Sequence, residues 1–411
     1  MKLPNWVRHY GFSLLLLCSF AVGALIGLGM GEKAAALKPL GDIFLNLLFT
    51  AVVPLVFFSI ASAVGTAGAT GRLGKIVLVM LGLFVTTGII ASLVMIAGVM
   101  LFNPTEGMTI TIPYAAESAQ HPPLLDAVAR AFTVPDFADL LSRKSMLALI
   151  IFAAMVGMAA GSLEEKGKAF RQFLLSASAV MEKVIGIILW YAPVGLGAYF
   201  AYLVGVFGPE LMGTYARAMA LYYPVAIGYF FVGFSFYAYL AGGIPAIKMF
   251  WSNIVPTALT AFATGSSVAS IPLNLEAAKE NRVPADIREV IIPIGSTIHM
   301  DGSCLSAILK IVVLFGVFQM PFTGLDTIAK AVMIALLSGT VMSGIPGGGF
   351  IGELMIVTLY GFPAEALPIA TMIGTLVDPP ATMVNAVGDN VVSMLSARIL
   401  GGKNWMEQGE R

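Results

Sequence analysis

Ionisable side chains stand in otherwise apolar stretches at His299, Asp301, Lys310, Glu353, Asp378 and Asp389. A charge in such a setting is costly, so it faces a cavity and binds something, or it marks a helix end at an interface. Asp378, Thr382, Asn385 and Asp389 recur every three or four residues in LVDPPATMVNAVGDN, which sets all four on one helical face. A polar stripe on an apolar helix is hard to explain as packing. Imidazole titrates near neutral pH, which makes His299 a proton-binding candidate. Lys310, in AILKIVVLFG, is either a tethered cation that can deprotonate when desolvated, or a lysine that snorkels along its helix to the interface. Glu353, in FIGELM, is a further ionisable candidate, unless a hairpin carries it at a wet surface.

The chain that must position these residues is broken in three places: at AFATGSSVASIPLN, at STIHMDGS and at SGTVMSGIPGGGF, the last covering Ser338 to Phe350. Backbone amides in hydrocarbon must be hydrogen-bonded within their segment, so irregular chain at membrane depth survives only inside protein or beside a water-filled cavity. There, half-helix N-termini present N–H groups to carboxylates, and unwound carbonyls coordinate cations. Glycine-rich tips allow positive φ and a close approach of backbone to ligand. Such breaks point to a transporter.

Composition sets the class. Of 411 residues, 58% are hydrophobic and 11% charged, and mean hydropathy is +0.90, which describes an all-α polytopic membrane protein. Acidic and basic residues balance at 23 each, so no nucleic-acid partner is implied. Cys18 and Cys304 lie in separate apolar segments and suggest no disulfide framework. The apolar run from Phe12 to Met30, preceded by Lys2 and Arg8, is too long for a signal-peptide core. With about 20 residues as the length of a span, helices are predicted near 11–31, 41–65, 75–102, 146–162, 180–204 and 217–241. The chain changes character near Pro245, and the remainder reads as two re-entrant hairpins and two interrupted helices. The Pro-rich connection from Asn103 to Lys144 is predicted to be an external loop. The distribution of Lys and Arg places the N-terminus in the cytoplasm, against Lys33 and Lys38 in the first loop.

The order of these motifs, from FLNLLFTAVVPLVFFSIASA to VNAVGD, resembles the dicarboxylate/amino acid:cation symporter family, which includes an archaeal aspartate transporter and the glutamate transporters of animals. The resemblance implies eight transmembrane helices, two hairpins meeting tip to tip, inverted repeats, a multi-pass location in the cell membrane, no organic cofactor, and a homotrimer in the lipid bilayer. It further implies a scaffold of residues 1–65 and 146–204, and a transport core of residues 75–102 and 217–411 that moves like an elevator. Carried over by position, Ser266 and Ser267 match the first hairpin's serines, whose tip amides hold the substrate α-carboxylate. Ser343, Gly344 and Gly347 fall in the second hairpin's tip and lid. Asp378 matches the aspartate that receives the substrate amino group, with Thr382 and Asn385 beside it. Asp301 and Asp389 match sodium ligands, with Thr297 nearby, and Asn385 belongs to the same cation-binding set.

Two departures bear on ion and substrate. His299 stands where the family motif has Asn, and the third helix lacks the Tyr expected in the deep sodium site, leaving Thr86 and Thr87 as candidate oxygens. His299, Lys310 and Glu353 therefore make the proton a rival to sodium as coupling ion. Ala381 stands where acidic-substrate members carry an Arg, whose planar guanidinium grips a side-chain carboxylate bidentately. Gly265 also replaces an Arg of several relatives. The expected substrate is a small neutral amino acid. The alternative is a proton-coupled carrier of a dicarboxylate or other organic acid, acidic amino acids included, with His299 and Lys310 as its positive groups. A channel is a third class, marked by current without substrate. Metal-ligand or nucleophile spacing that an intramembrane enzyme needs is missing. Pro379 and Pro380, directly after Asp378, are expected to bend or unwind the last helix.

Overall fold

The computed structural model describes residues 5–67, 72–106, 133–142, 145–207, 210–341 and 349–408, and within them the chain is helical with no strand. The helices are α1 (Asn5–Met30), α2 (Lys38–Ala67), α3 (Arg72–Leu101), the short α4 (Phe137–Leu140), α5 (Met146–Ser162), α6 (Lys168–Leu189), α7 (Ala192–Phe207), α8 (Glu210–Gly228), α9 (Phe234–Thr264), α10 (Ser267–Glu280), α11 (Ala285–Ile298), α12 (Asp301–Val317), α13 (Leu325–Val341), α14 (Gly349–Tyr360), α15 (Ala366–Gly401) and α16 (Trp405–Gln408). Six stretches among the described residues are long and apolar enough to cross a membrane. Their surroundings differ. An apolar 18-residue window of Ala285–Val317 is 94% buried within the protein, whereas the corresponding window of Cys18–Leu47 is 22% buried and leaves apolar side chains on the outside, as lipid-facing segments do.

The span expected at 180–204 is two helices. α6 ends at Leu189 and α7 starts at Ala192. Pro193, which has no N–H to donate, sits in the first turn of α7, where none is needed. The change of character expected near Pro245 lies slightly earlier, at a kink within α9: Gly242 has φ −170° and ψ 25°, and Gly243 has φ 70° and ψ −158°. Beyond the kink, α9 and α10 form the arms of the first hairpin. Only one of the two expected interruptions is present, between α11 and α12, where His299 (φ −98°, ψ 109°) and Met300 (φ −135°, ψ 55°) leave helical geometry. The last helix, α15, runs unbroken through Pro379 and Pro380. Each proline removes a donor to the carbonyl four residues earlier, and the carbonyl of Leu376 is satisfied instead by the Tyr223 hydroxyl at 2.9 Å.

The helices pack in two sets. α1 lies along α7, and α2 against α5, α6 and α7. Glycines allow these close approaches: a Cβ at Gly23 would strike the Gly197 carbonyl, and one at Gly157 would press on the Ala61 carbonyl. In the second set α15 is central, touching α9, α10, α11, α12, α14, α3 and α8, with α13 closing over α12 and α14. α12 is buried along nearly its whole length.

Candidate substrate and cation site

At the first hairpin's tip, Gly265 ends α9 in the left-handed region (φ 59°), and Ser266 (φ −143°, ψ 113°) starts α10, its hydroxyl accepting from the Ala269 N–H at 3.3 Å. Ser266 is thus an N-cap, and Ser267, also buried, opens the helix whose free N–H groups point at the tip. Asp378 of α15 faces this tip: a Cβ on Gly265 would lie 3.1 Å from Asp378 Oδ2. The Thr382 hydroxyl, one turn further along α15, lies 3.5 Å from Asp378 Oδ1. A carboxylate and a helix N-terminus, side by side, suit an ammonium and a carboxylate on one molecule. Ser343, Gly344 and Gly347 lie outside the described residues.

Deeper in, His299 joins the two other aspartates. Its Nδ1 lies 3.0 Å from Asp389 Oδ1, and its Nε2 lies 2.9 Å from Thr87 Oγ1 and 3.2 Å from Asp301 Oδ1. The Thr87 hydroxyl donates to Asp301 Oδ1 at 2.9 Å, so it accepts from the ring. The ring nitrogens each face one carboxylate oxygen, an arrangement in which a doubly protonated imidazole donates to two anions. Phe84 stacks on the ring at 4.3 Å and 14°, presenting its π-face to the cation. Space for this arrangement comes from two glycines: a Cβ at Gly388 would come within 2.8 Å of His299 Cε1, and one at Gly295 would collide with the Asp389 carboxylate. All three ionisable groups are about 99% buried.

Tyrosines complete the cluster. Tyr229 donates to Asp301 Oδ2 at 2.9 Å, and Tyr237 lies 3.1 Å from Tyr229. Tyr229 opens the π-helical turn Tyr229–Gly233 between α8 and α9, and such bulges are frequent at functional sites because they re-aim one side chain. Tyr229, Tyr237 and Phe84 were not predicted from the sequence. The available signal was the eight-residue spacing of the two tyrosines, which places them on one face.

Other predicted residues take different roles. Thr297 does not join the cation site: it is exposed and its hydroxyl bonds to Ile294 O at 2.7 Å. Gly295 faces Asp389, and two further residues of helix turn a side chain to the opposite face. Thr86, likewise exposed, bonds to Gly82 O. Asn385 caps α12, its Oδ1 accepting from the N–H groups of Gly302 (2.8 Å) and Ser303 (3.2 Å). Ala381 is buried with its carbonyl against Gly302, where no Cβ fits. Lys310 does not snorkel, and Glu353 is not at a wet surface: the two are buried together, Nζ to Oε1 at 3.0 Å, against Gly374 of α15.

The model of the sodium:dicarboxylate symporter family matches residues 12–399. The chain belongs to the sodium:dicarboxylate symporter family. It is similar to the proton/sodium-glutamate symport protein of Geobacillus stearothermophilus, 25% identical over 97% of this chain and 96% of that one. The proton/glutamate-aspartate symporter of Bacillus subtilis (strain 168) is 26% identical over 93% of each chain. The C4-dicarboxylate transport protein of Anaeromyxobacter sp. (strain K) is 24% identical over 94% of this chain and 89% of that one. The protein is therefore a cation-coupled symporter of the plasma membrane, not an enzyme.

The surroundings of Asp301 and Asp389 differ from a site lined by oxygen ligands alone, because His299 stands between them. Hard cations take oxygen ligands. The Oδ1 atoms of both aspartates are engaged by the two ring nitrogens of His299, while Asp389 Oδ2 is buried without a hydrogen-bond partner.

Proposed function

We propose that this symporter imports a small amino acid, neutral in its side chain, together with protons. The observation that carries the proposal is the His299 imidazole held between Asp301 and Asp389. It supplies internally the positive charge that sodium brings to those acids in the family pattern. In its interior, the transport core then sets the carboxylates of Asp301, Asp378, Asp389 and Glu353 against the side-chain cations of His299 and Lys310. The excess negative charge calls for the ammonium of a substrate and for protons. Asp378 beside the first hairpin's tip receives the amino group, and the N–H groups that open α10 receive the α-carboxylate. Ala381 offers no guanidinium for a second carboxylate, and Lys310 is already bound to Glu353. The packing of the helices in two sets supports a scaffold of residues 1–65 and 146–204, and a moving core of residues 75–102 and 217–411; the homotrimer follows from the family resemblance alone.

A second reading is a proton-coupled carrier of a dicarboxylate. It is favoured by Lys310, packed at Gly374 one turn from Asp378 on α15, and by relatives named for C4-dicarboxylate and glutamate transport.

Uptake of a labelled panel into proteoliposomes, driven separately by inward sodium and inward proton gradients, tests both. Proton-driven, sodium-independent uptake of a neutral amino acid is expected, abolished by D378N. Uptake of succinate or aspartate that survives D378N but not K310M selects the second reading. Sodium-driven uptake overturns the reading of His299.

A further inference from the structure

The Lys310–Glu353 pair is not used by the substrate contacts or by the His299 cluster, yet it is built with care. Side-chain exposure is 4% for Lys310 and 3% for Glu353. Gly374 is required beside it, since a Cβ there would collide with Glu353 Oε1 and stand 3.1 Å from Lys310 Nζ. Lys310 Nζ holds Oε1, and Oε2 has no partner within hydrogen-bond distance, the nearby Thr371 hydroxyl being its polar neighbour on α15. A buried ion pair depends on its own two members, so a change of charge on one releases the other.

The charged surroundings of the pair are few. α15 offers Asp378, one turn beyond Gly374, and α12 offers Asp301 at its far end. α13 carries Asp326 and Lys330, and Lys330 lies over the Tyr360 ring at 4.7 Å. On α2, Lys38 is paired with Asp42 (3.4 Å) and with Glu365 (3.5 Å). α5 bears no charge. Arg72 and Lys75 lie in the first turn of α3, and Arg217 of α8 donates to Pro104 O at 2.9 Å. Asp378 alone stands close enough along the chain to exchange partners with the pair.

We propose that Glu353 carries the coupled proton and that Lys310 is the cation that closes on it when the proton has left. This rests on the reading of the protein as a proton-coupled symporter. With the site open outward, the Glu353 carboxylate takes a proton from water and an O–H bond forms. Lys310 keeps its own protons, and its released ammonium turns towards Asp378. With the site open inward, the O–H bond breaks, the proton passes to water, and the ion pair re-forms. One proton enters and one leaves, and the empty core returns with this pair neutral. The location of Glu353 on α14, the second arm of the second hairpin, links the proton to that hairpin.

The test compares two assays in proteoliposomes: exchange of labelled for unlabelled substrate, which needs binding and core movement, and accumulation driven by a proton gradient, which also needs net proton flux. E353Q, a fixed neutral mimic of the protonated acid, is expected to exchange substrate and to lose accumulation. If E353Q is unstable because Lys310 is left unpaired, K310Q/E353Q removes both charges and is expected to show the same loss. Either variant concentrating substrate as well as the unmodified protein overturns the proposal while leaving proton coupling intact. An unmodified protein that does not respond to a proton gradient overturns the underlying reading instead.

Discussion

His299 is the residue on which the ionic character of the site turns. Removing it leaves Asp301 and Asp389 buried without a counter-ion, and the loss of one partner from a buried pair costs about 3–5 kcal/mol. H299A is therefore expected to unfold at markedly lower temperature than the unmodified protein in detergent, by a thermal scan in sodium-free buffer. H299N, which restores the family's side chain, is expected to regain stability when sodium chloride replaces choline chloride, because a bound ion stabilises by mass action. The unmodified protein should show no such dependence, and a sodium-specific stabilisation of it would count against the bridge. The six ionisable residues were legible because a charge in apolar sequence is conspicuous. Their pairing was not: His299 and Asp389 are 90 positions apart, and Lys310 and Glu353 are 43 apart, so neither bond has a local signature. Tyr229 was hidden for another reason, since its phenol is aimed by a π-helical turn that leaves no mark on hydrophobic periodicity.

Elements announced themselves by their breaks. Gly265 and the serines after it marked the first hairpin, and STIHMDGS marked the gap between α11 and α12, because Gly and short polar residues inside apolar sequence disrupt a helix in known ways. The Pro379–Pro380 pair misled, since the missing donors were replaced from another element by Tyr223. α6 and α7 fell within one expected span because apolar sequence runs on across Pro193, which begins a helix. Gly265 also allows a sharper expectation. Its φ of 59° is strained for any residue with a Cβ, by about 1–2 kcal/mol, and the added methyl would face Asp378 Oδ2 at 3.1 Å. G265A is expected to weaken substrate binding more than it lowers stability, measured by calorimetric titration beside a melting curve. A variant that loses stability but binds normally would separate Asp378 from the tip.

At the scale of the whole molecule, the two helix sets meet over a small area compared with the packing inside each. Composition and span length identified the membrane class, but which helix packs on which is decided by close approaches such as Gly23 to Gly197, and these have no counterpart in hydropathy. If residues 217–411 move past the scaffold, contacts between α2 and α14 must break during each cycle. Phe44 of α2 meets Phe350 of α14 edge to face, with ring centroids 6.2 Å apart. F44C/F350C, made in a C18S/C304S background and joined by a cleavable bifunctional thiol reagent, is expected to bind substrate but not take it up. Uptake should return on cleavage, and the same variant before joining is the control. Because binding needs only the hairpin tip, Asp378 and Thr382, all within one set, a cross-link between sets separates binding from movement. Sustained uptake by fully cross-linked protein would mean that the substrate crosses without relative motion of the two sets.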